Sequence, residues 1–435
     1  KNDVKTIDSA LGFTLDKEKD AFIQTDESRQ NNKNFAYHPN KDSKFYPKIV
    51  IIDEASMVSS EKYNALIETA IETASKTGVN MKLIFMGDNV QHAPVNDIVD
   101  GKVLRESYVF DQVKDQATLT ERMRQGEESP IVPITDLIAN EIEKPNYSGK
   151  FENIKFDGID KLNSDKTEGV EYSTVAEKSN TFKKFIEDFK KNPDGTRWIH
   201  FNNSLNKNTH ILIPEIRKSV FGEKNASSNE FLEGEQITLI SNLQIDLTPN
   251  KIITFNKESP FVIKSIDKEF HYEDFSYINY KSEKINGVYP RVTISLPVVT
   301  ATISDGMFDH NRIRLVTKEG LAILKSKGLF STDKLTDMRV GSFAYDYVIN
   351  THRAQGSTYD TVYVDYENII QNVAITKDED AALKSLYVAV SRPKKKLVIQ
   401  GYDAGKTNIT NKNNGTLNIN FGTKENKELR TLLNK

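Results

Sequence analysis

The sequence contains no cysteine. This absence excludes a disulfide framework, an iron–sulfur cluster and a zinc site built from thiolates. It also fits a reducing compartment, so we expect a cytoplasmic protein, or one in the host cytoplasm if the source is viral.

Long apolar runs and an excess of one charge are also missing. No run approaches the roughly 20 apolar residues that a membrane-spanning helix needs, and we predict no membrane contact. The 59 Lys and Arg residues nearly balance 62 Asp and Glu residues, which gives a net charge of -3. Without a uniformly basic surface, any contact with nucleic acid requires a local groove.

The 435 residues suggest two to four domains, since a domain averages about 150 residues. The β-branched run Ile49 to Ile52 predicts a parallel strand buried on both faces. Ser59 or Ser60 can cap a following helix that stops at Gly78, and Leu83 to Met86 predicts the next strand. This is a βαβ unit, whose ligands bind beyond the carboxyl ends of the strands.

The second half of the chain alternates helical segments with a strand near residues 198–201, followed by a β-rich stretch at 236–340. Short apolar strands then return at 343–350, 361–365 and 396–400, with a helix at about 378–392. An α/β domain interrupted by a β insertion explains this order.

Five polar clusters occur in order along the chain; three follow predicted strands and one ends a predicted helix. Asp53 and Glu54 can hold Mg²⁺ and orient an attacking water, and Gln91 can contact a γ-phosphate. Arg124 and Arg392 each offer a planar cation for the charge that spreads over a transferred phosphoryl group. Taken singly, each cluster also fits a solvated acidic pair, a polar loop or a surface ion pair.

The fifth cluster begins directly after a predicted strand, with Thr351 and His352, and includes Gly356. Such a loop can grip a phosphodiester backbone while its glycine faces a nucleotide. Alone, His352 would more often be a core histidine satisfied by hydrogen bonds.

Together the five clusters resemble the ordered motifs II to VI of superfamily 1 helicases, in the RecD-like and Dda-like branch. The resemblance runs from about Thr6 to Gly401. The segments that carry it are Ile-Ile-Asp-Glu-Ala-Ser-Met (51–57), Gly-Asp-Asn-Val-Gln-His-Ala-Pro-Val (87–95), Leu-Thr-Glu-Arg-Met-Arg-Gln (119–125), Thr-His-Arg-Ala-Gln-Gly-Ser-Thr (351–358) and Leu-Tyr-Val-Ala-Val-Ser-Arg (386–392).

The family implies an α/β fold with two RecA-like parallel-sheet domains, the first incomplete at its N-terminus, and an SH3-like β-barrel insertion in the second. The predicted limits are 1–125 for the first domain with a small wedge-like insertion at 14–47, 126–235 and 343–402 for the second domain, 236–342 for the β insertion and 403–435 for a tail. ATP would bind in the cleft between the two domains.

The resemblance also implies an ATP-dependent DNA helicase that uses ATP and Mg²⁺, moves 5′ to 3′ on single-stranded DNA and unwinds duplex junctions. We expect a monomeric motor, with replication or repair proteins as further partners. The implied roles are Mg²⁺ binding for Asp53, catalytic base for Glu54, γ-phosphate contacts for Gln91, Arg124 and Arg392, nucleotide contact for Gly356, and DNA contacts for Thr351, His352 and Asn203.

One family feature is missing from the printed sequence, the phosphate-binding loop G-x-x-x-x-G-K-[ST]. The segment Gly401 to Thr407 is one residue short of it, and Asp8 stands where the family usually has His. Because the loop lies upstream in the family, we expect it before Lys1. The chain would then be a fragment of an active helicase; the alternatives are a hydrolysis-dead protein that binds nucleic acid or a partner, and a viral-type RNA helicase.

Overall fold

The computed structural model describes residues 7, 14–16, 21–23, 49–94, 97–156, 161–201, 207–228, 230–248, 251–279, 282–285, 287–330, 332–376 and 378–402. Asn203, Asp8, most of the predicted insertion at 14–47 and the tail from 403 lie outside these residues. By internal contacts the chain divides into one unit of residues 1–159 with 372–391, and another of 160–371 with 392–435. The predicted domain limits stay predictions; the contacts group 126–159 and 372–391 with the first unit.

The first unit is built on two parallel strands, β3 (Ile49–Ile52) and β4 (Lys82–Phe85), joined by helix α1 (Ser60–Thr77). The hydroxyl of Ser59 accepts a hydrogen bond from the Lys62 amide, and Gly78 ends the helix in the left-handed conformation (φ 70°), as the sequence predicts. The predicted βαβ unit is therefore confirmed. Its core contains Ile52, Ala55, Val58, Ala65, Leu66 and Val109.

The predicted burial of β3 on both faces is wrong for the described residues. Ile49 and Ile51 are 57% and 59% exposed, whereas Ile52 is buried. Alternate side chains point to opposite faces of a strand. Within the described residues, β3 has only β4 as a neighbouring strand, and the side chains of Val50 and Ile52 pack in one core with those of α1.

The buried face of helix α1 includes Leu66 and also two threonines. Thr69 and Thr73 are buried, whereas Ile71 is 64% exposed. The Thr69 hydroxyl donates to the Ala65 carbonyl (2.7 Å) and that of Thr73 to the Thr69 carbonyl (2.8 Å). Each hydroxyl is satisfied within the helix, so its burial carries little desolvation cost.

The first unit also contains short elements and a helix from the far end of the sequence. That helix, α11 (Glu379–Val390), is tied in by Glu379, whose Oε2 accepts a hydrogen bond from the Phe151 amide (3.0 Å). The other elements are the hairpins β1 (Thr14–Asp16) with β2 (Ala21–Ile23) and β5 (Ile98–Val99) with β6 (Lys102–Val103), and the helices α2 (Tyr108–Gln112) and α3 (Val132–Ile142).

The second unit is built on a six-stranded sheet in the order β17–β9–β18–β19–β8–β7, in which the first five strands are parallel and β7 is antiparallel. This is a RecA-like α/β arrangement, and the predicted parallel-sheet fold is confirmed. The elements are β7 (Lys161–Leu162), β8 (Gly169–Ser173), α4 (Lys178–Lys191), β9 (Thr196–His200), α5 (Lys207–Phe221), α6 (Glu223–Ser228), β17 (Val348–Asn350), α9 (Thr351–Ala354), β18 (Tyr359–Asp365), α10 (Tyr366–Thr376) and β19 (Pro393–Gln400).

An aromatic cluster fills the core beside this sheet. Trp198 is stacked on Tyr363, with ring centroids 5.9 Å apart, and Phe182 and Phe185 of α4 meet the indole edge-on. All four side chains are buried. Such pairs prefer stacked or edge-to-face geometry, which holds the strands and α4 in one arrangement.

The predicted β insertion is an antiparallel sheet in the order β15–β14–β13–β10–β16, with the separate hairpin β11–β12. Its SH3-like form stays a prediction. The prediction of a single strand over 343–350 is wrong, because this stretch forms two strands. Strand β16 (Phe343–Tyr345) pairs with β10, whereas β17 (Val348–Asn350) pairs with β9. The elements are β10 (Gln236–Leu239), β11 (Leu243–Thr248), β12 (Lys251–Phe255), β13 (Pro260–Ile278), β14 (Arg291–Ser304), β15 (Asp309–Val316), α7 (Lys318–Ser326), α8 (Thr332–Met338) and β16 (Phe343–Tyr345).

The break between β16 and β17 falls at Asp346. Its carboxylate accepts hydrogen bonds from Arg197 and Arg353, each 2.9 Å long, and from the Thr238 hydroxyl at 2.8 Å. These three donors lie on β9, α9 and β10. Asp346 therefore fixes the point at which the chain leaves the antiparallel sheet and enters the parallel one.

Within the described part of the chain, no helix combines the length and the apolar character that a membrane crossing requires.

Candidate functional site

The acidic pair lies where β3 ends. Asp53 is exposed, and its Oδ1 accepts a hydrogen bond from the Glu54 amide (2.9 Å). Glu54 has φ 51° and ψ 45°, a left-handed conformation that few residues with a Cβ adopt. Strained backbone of this kind persists where the surroundings hold it and is concentrated at functional sites.

The surroundings that hold Glu54 come from the end of β4. The Met86 amide donates to the Ile52 carbonyl and the Ala55 amide to the Met86 carbonyl, both at 2.8 Å. Gly87 follows, and a Cβ placed there would lie 2.9 Å from the amide nitrogens of Ala55 and Ser56. The absence of a side chain at Gly87 therefore allows the second loop to approach the backbone beside the acidic pair.

Gln91 is held in this second loop by Asp88. The Gln91 side-chain nitrogen donates to Asp88 Oδ2 (3.1 Å), and the amide of Val90 donates to Asp88 Oδ1 (3.1 Å). The Gln91 Oε1 atom is buried and accepts no hydrogen bond from the described residues. The Asp88 carboxylate thus orients the side chain of Gln91, which was predicted to contact a γ-phosphate.

The loop is anchored again at its far end. Asp97 is buried, and its two carboxylate oxygens accept hydrogen bonds from the amide and the hydroxyl of Ser60, at 2.8 and 2.6 Å. A carboxylate at a helix N-terminus satisfies free amides and interacts favourably with the helix dipole. The loop is therefore fixed to the helix that follows the acidic pair.

Arg124 contacts the end of α11. Its Nη1 donates to the Ser391 carbonyl at 2.8 Å, and Gln125 Nε2 donates to the same oxygen at 3.3 Å. Partial burial lowers the pKa of Arg124, while Tyr387 and Glu54 oppose this; the group stays charged, since arginine does not lose its proton in proteins. Arg124 is therefore a cation within electrostatic reach of Glu54.

Arg122, two residues earlier, differs from Arg124. Its guanidinium pairs with Asp136 on the surface, and both side chains are well exposed. Only the second arginine of the motif is directed to the residues predicted for hydrolysis.

In the second unit, the Thr-His-Arg motif forms the single helical turn α9, where a loop was expected. The Asn350 side chain caps it by accepting from the Arg353 amide (2.9 Å). Thr351 is fully buried, whereas His352 is exposed. Desolvation lowers the pKa of His352, partly opposed by Glu258, so its imidazole is neutral at pH 7.

Arg392 is brought to the glycine of this same motif. It is 2% exposed, and its Nη1 donates to the Ser357 carbonyl at 3.4 Å, next to Gly356 with φ 75°. The Tyr359 amide donates to the Arg392 carbonyl at 3.1 Å. The structure thus groups Arg392 and Gly356 in the second unit, and Asp53, Glu54, Gln91 and Arg124 in the first.

Sequence reasoning missed three residues that position these groups, Asp88, Tyr387 and Asp346. Asp88 and Tyr387 stand inside the quoted motifs, so their place was visible but their contact was not. Asp346 lies inside the single strand predicted at 343–350 and gave no local signal.

The residues present fit Mg²⁺. The described residues contain no cluster of three or more His, Asp or Glu side chains suited to hold a metal on their own. Mg²⁺ usually binds through one or two carboxylates together with phosphates and waters. Asp53 matches this, because its carboxylate is exposed at the end of a parallel strand with only Oδ1 engaged by the described backbone.

The segment Gly401 to Thr407 gains no support as a phosphate loop. Gly401 has φ 90°, its amide donates to the Ser173 carbonyl (2.7 Å), and a Cβ there would lie 2.8 Å from the Glu367 side chain. A tight turn after β19 therefore explains this glycine. Residues 403 to 407 lie outside the described residues.

Two family models match the chain. One, described as an AAA domain, matches residues 5–146, and the other, described as a UvrD-like helicase C-terminal domain, matches residues 345–400. A protein of Acanthamoeba polyphaga mimivirus, described as uncharacterized, is 25% identical over 415 residues, which cover 82% of this chain and 76% of the viral protein.

Similar solved structures include the Pif1 helicase from Bacteroides in complex with ADP-AlF3 and ssDNA, at 13% identity and a TM-score of 0.39, covering 81% of this chain and 70% of that one. The Pif1 helicase from Candida albicans is 14% identical with a TM-score of 0.38, and the match covers 82% of this chain and 72% of that one. Scores this low carry no argument about the site. The ordered motifs and the two family models, which match residues 5–146 and 345–400, support a superfamily 1 helicase of the RecD-like branch.

Proposed function

We propose that this protein is an ATP-dependent DNA helicase motor that moves on single-stranded DNA and unwinds duplex. The observation that carries the proposal is the arrangement in the first unit: Arg124 lies within electrostatic reach of Glu54 and is bonded to the end of α11. A residue that positions the attacking water and an arginine that neutralises the γ-phosphate are two recurring parts of sites for phosphoryl transfer.

In this proposal Asp53 binds Mg²⁺, which supplies charge neutralisation on the phosphates when it is bound. Glu54 is the base that orients and deprotonates the attacking water. Gln91 and Arg124 contact the γ-phosphate, where charge accumulates in the loose transition state. Arg392 adds a second guanidinium for the γ-phosphate, and Gly356 contacts the nucleotide.

For DNA, we propose that His352 is the direct contact, because its side chain is exposed at the start of α9. Thr351 is buried beneath it and would support the turn. Asn203, outside the described residues, remains a proposed contact from the resemblance. Neutral side chains at such positions orient the DNA strand, while the phosphate charge is neutralised elsewhere in a groove.

Four further points complete the proposal. They are the 5′ to 3′ polarity, a monomeric motor, activity in the cytoplasm or host cytoplasm, and association with replication or repair proteins. The polarity, the monomeric motor and the replication or repair partners follow from the helicase resemblance, and the location follows from the absence of cysteine.

The experiment is strand displacement by the intact gene product. The substrates are matched duplexes that carry a 5′ or a 3′ single-stranded tail, of DNA or of RNA, with ATP and Mg²⁺. We expect displacement of the DNA substrate with a 5′ tail. Displacement from the 3′ tail alone would overturn the polarity, preference for RNA would favour an RNA helicase, and binding without displacement or hydrolysis would favour a hydrolysis-dead binding protein.

A further inference from the structure

Asp88 makes contacts to two separate parts of the first unit. Its Oδ2 accepts the hydrogen bond from the Gln91 side chain (3.1 Å) and another from the Tyr387 hydroxyl (3.3 Å). Gln91 and Asp88 belong to the loop after β4, and Tyr387 lies on α11, 299 positions further along the chain. One carboxylate oxygen thus joins the loop to the helix.

The same helix contacts Arg124 through its last turn. Tyr387 and Ser391 are four residues apart, and the Ser391 amide donates to the Tyr387 carbonyl at 3.0 Å. Residues at this spacing lie on one face of a helix. The carbonyl of Ser391, which caps the C-terminus of the helix, accepts the hydrogen bond from Arg124. Helix α11 and its cap therefore contact both the loop of Gln91 and the arginine proposed to reach the γ-phosphate.

The contact with Asp88 restricts the Gln91 amide. The Asp88 Oδ1 atom is occupied by the Val90 amide, and Oδ2 takes both side-chain donors. Hydrogen bonds to a carboxylate are stronger than those between neutral groups. Without the Tyr387 hydroxyl, the carboxylate can rotate and the Gln91 side chain loses its fixed orientation.

We infer that Asp88 and Tyr387 are positioning residues, which hold Gln91 in the orientation needed for hydrolysis and couple it to the helix that ends at Ser391. This inference rests on the proposed function, since it assigns the two residues to the same reaction. Neither residue is proposed to touch ATP. Both act through Gln91, and the order Gln91, Asp88, Tyr387, Ser391, Arg124 follows from hydrogen bonds and helix spacing alone.

The test uses Tyr387→Phe in the intact gene product, with ATP hydrolysis measured in saturating single-stranded DNA. Only the hydroxyl is lost, so kcat should fall about tenfold, as for a lost hydrogen bond to a charged group, with KM for ATP changed by less than about twofold. The matched control is Tyr108→Phe on α2, whose ring packs edge-on against Tyr63; it should leave kcat unchanged.

A second variant, Asp88→Asn, keeps a carbonyl oxygen for the Val90 amide and should reproduce the fall in kcat. A double-mutant cycle separates positioning from general destabilisation: in a Gln91→Ala background, Tyr387→Phe should have little further effect on kcat. Equal kcat in wild type and Tyr387→Phe, or full additivity in the cycle, would overturn the inference and leave the proposed function standing. No DNA-stimulated hydrolysis by the wild type would overturn both.

Discussion

Arg124 donates a 2.8 Å hydrogen bond to the backbone carbonyl of Ser391, 267 positions further along the chain. Arg124 is the next-to-last residue of one quoted motif, and Ser391 stands directly before Arg392, which ends another. Two motifs that the sequence separates by more than half its length are therefore in contact through a carbonyl whose position is set by α11.

The first prediction concerns this arginine. Arg124→Ala should lower kcat for DNA-stimulated ATP hydrolysis by about 10³-fold or more, since an arginine at the γ-phosphate contributes about 10³ to 10⁵ in rate. Arg122→Ala is the matched control, because the Arg122 side chain pairs with Asp136 on the surface; an exposed pair contributes about 0 to 1 kcal/mol to folding. Equal losses in both variants would contradict the role given to Arg124.

The second prediction concerns the contact between the first two motifs. Gly87→Ala places a Cβ 2.9 Å from the amides of Ala55 and Ser56. The free energy of unfolding of the intact protein should fall by about 1–3 kcal/mol, as for other overpacked sites, and hydrolysis should fall with it because the loop moves from Glu54.

Chemical denaturation followed by circular dichroism measures this change. Gly126→Ala is the control, since a Cβ at Gly126 meets nothing within 4 Å. Gly87→Ala with the stability and activity of the wild type would show that the close approach does not matter.

The third prediction is a pH dependence of DNA binding. Desolvation lowers the pKa of His352, so the ring is neutral at pH 7 and becomes charged only below its ordinary value of about 6.5. Protonation adds a positive charge beside phosphate, and affinity for single-stranded DNA should therefore be flat from pH 7 to 8 and rise as the pH falls through the lowered pKa.

Fluorescence anisotropy with a labelled oligonucleotide, at constant ionic strength, measures this affinity. His352→Gln preserves a neutral polar side chain, and it should match the wild type near pH 8 and lose the part of the rise that His352 contributes. An identical profile for the two proteins would exclude His352 as the titrating contact.

The fourth prediction concerns a buried ion pair in the second unit. Arg217 Nε donates to Glu235 Oε1 at 2.6 Å, and Tyr347 donates to the same oxygen at 2.7 Å. Burial raises the pKa of Glu235, and its partners oppose this. Removing the guanidinium in Arg217→Met leaves a carboxylate without its cation, so the unfolding free energy should fall by about 3–5 kcal/mol.

The double variant Arg217→Met with Glu235→Gln removes both charges and should recover most of that loss. Denaturant titration of the single and double variants gives the coupling free energy between Arg217 and Glu235. A double variant as unstable as the sum of its single variants would contradict a paired interaction.

Local sequence signals predicted the elements that carry the site. The Ser59 cap and the Gly78 stop of α1 are short-range features, and both were confirmed. The prediction that β3 is buried on both faces was wrong. A run of β-branched residues shows that a strand is apolar, but it does not show which neighbours cover the strand. Ile51 and Ile52 are equally apolar, yet only Ile52 is buried.

Contacts between distant residues were not predictable in the same way. The bond of Tyr387 to Asp88 joins residues in two predicted domains, and no periodicity encodes it. The break at Asp346 depends on Arg197, Arg353 and Thr238, which come from three separate elements. Motif recognition could identify the residues, whereas their pairing required the fold.

The most direct test of the account is ATP hydrolysis by the intact gene product with and without single-stranded DNA, compared between the wild type and Glu54→Gln. We predict DNA-stimulated hydrolysis in the wild type. In Glu54→Gln, turnover should be abolished while binding of a fluorescent ATP analogue and of DNA persists, because the substitution removes the base and keeps the shape. Near-normal turnover in Glu54→Gln, or a wild type that DNA does not stimulate, would contradict the assignment.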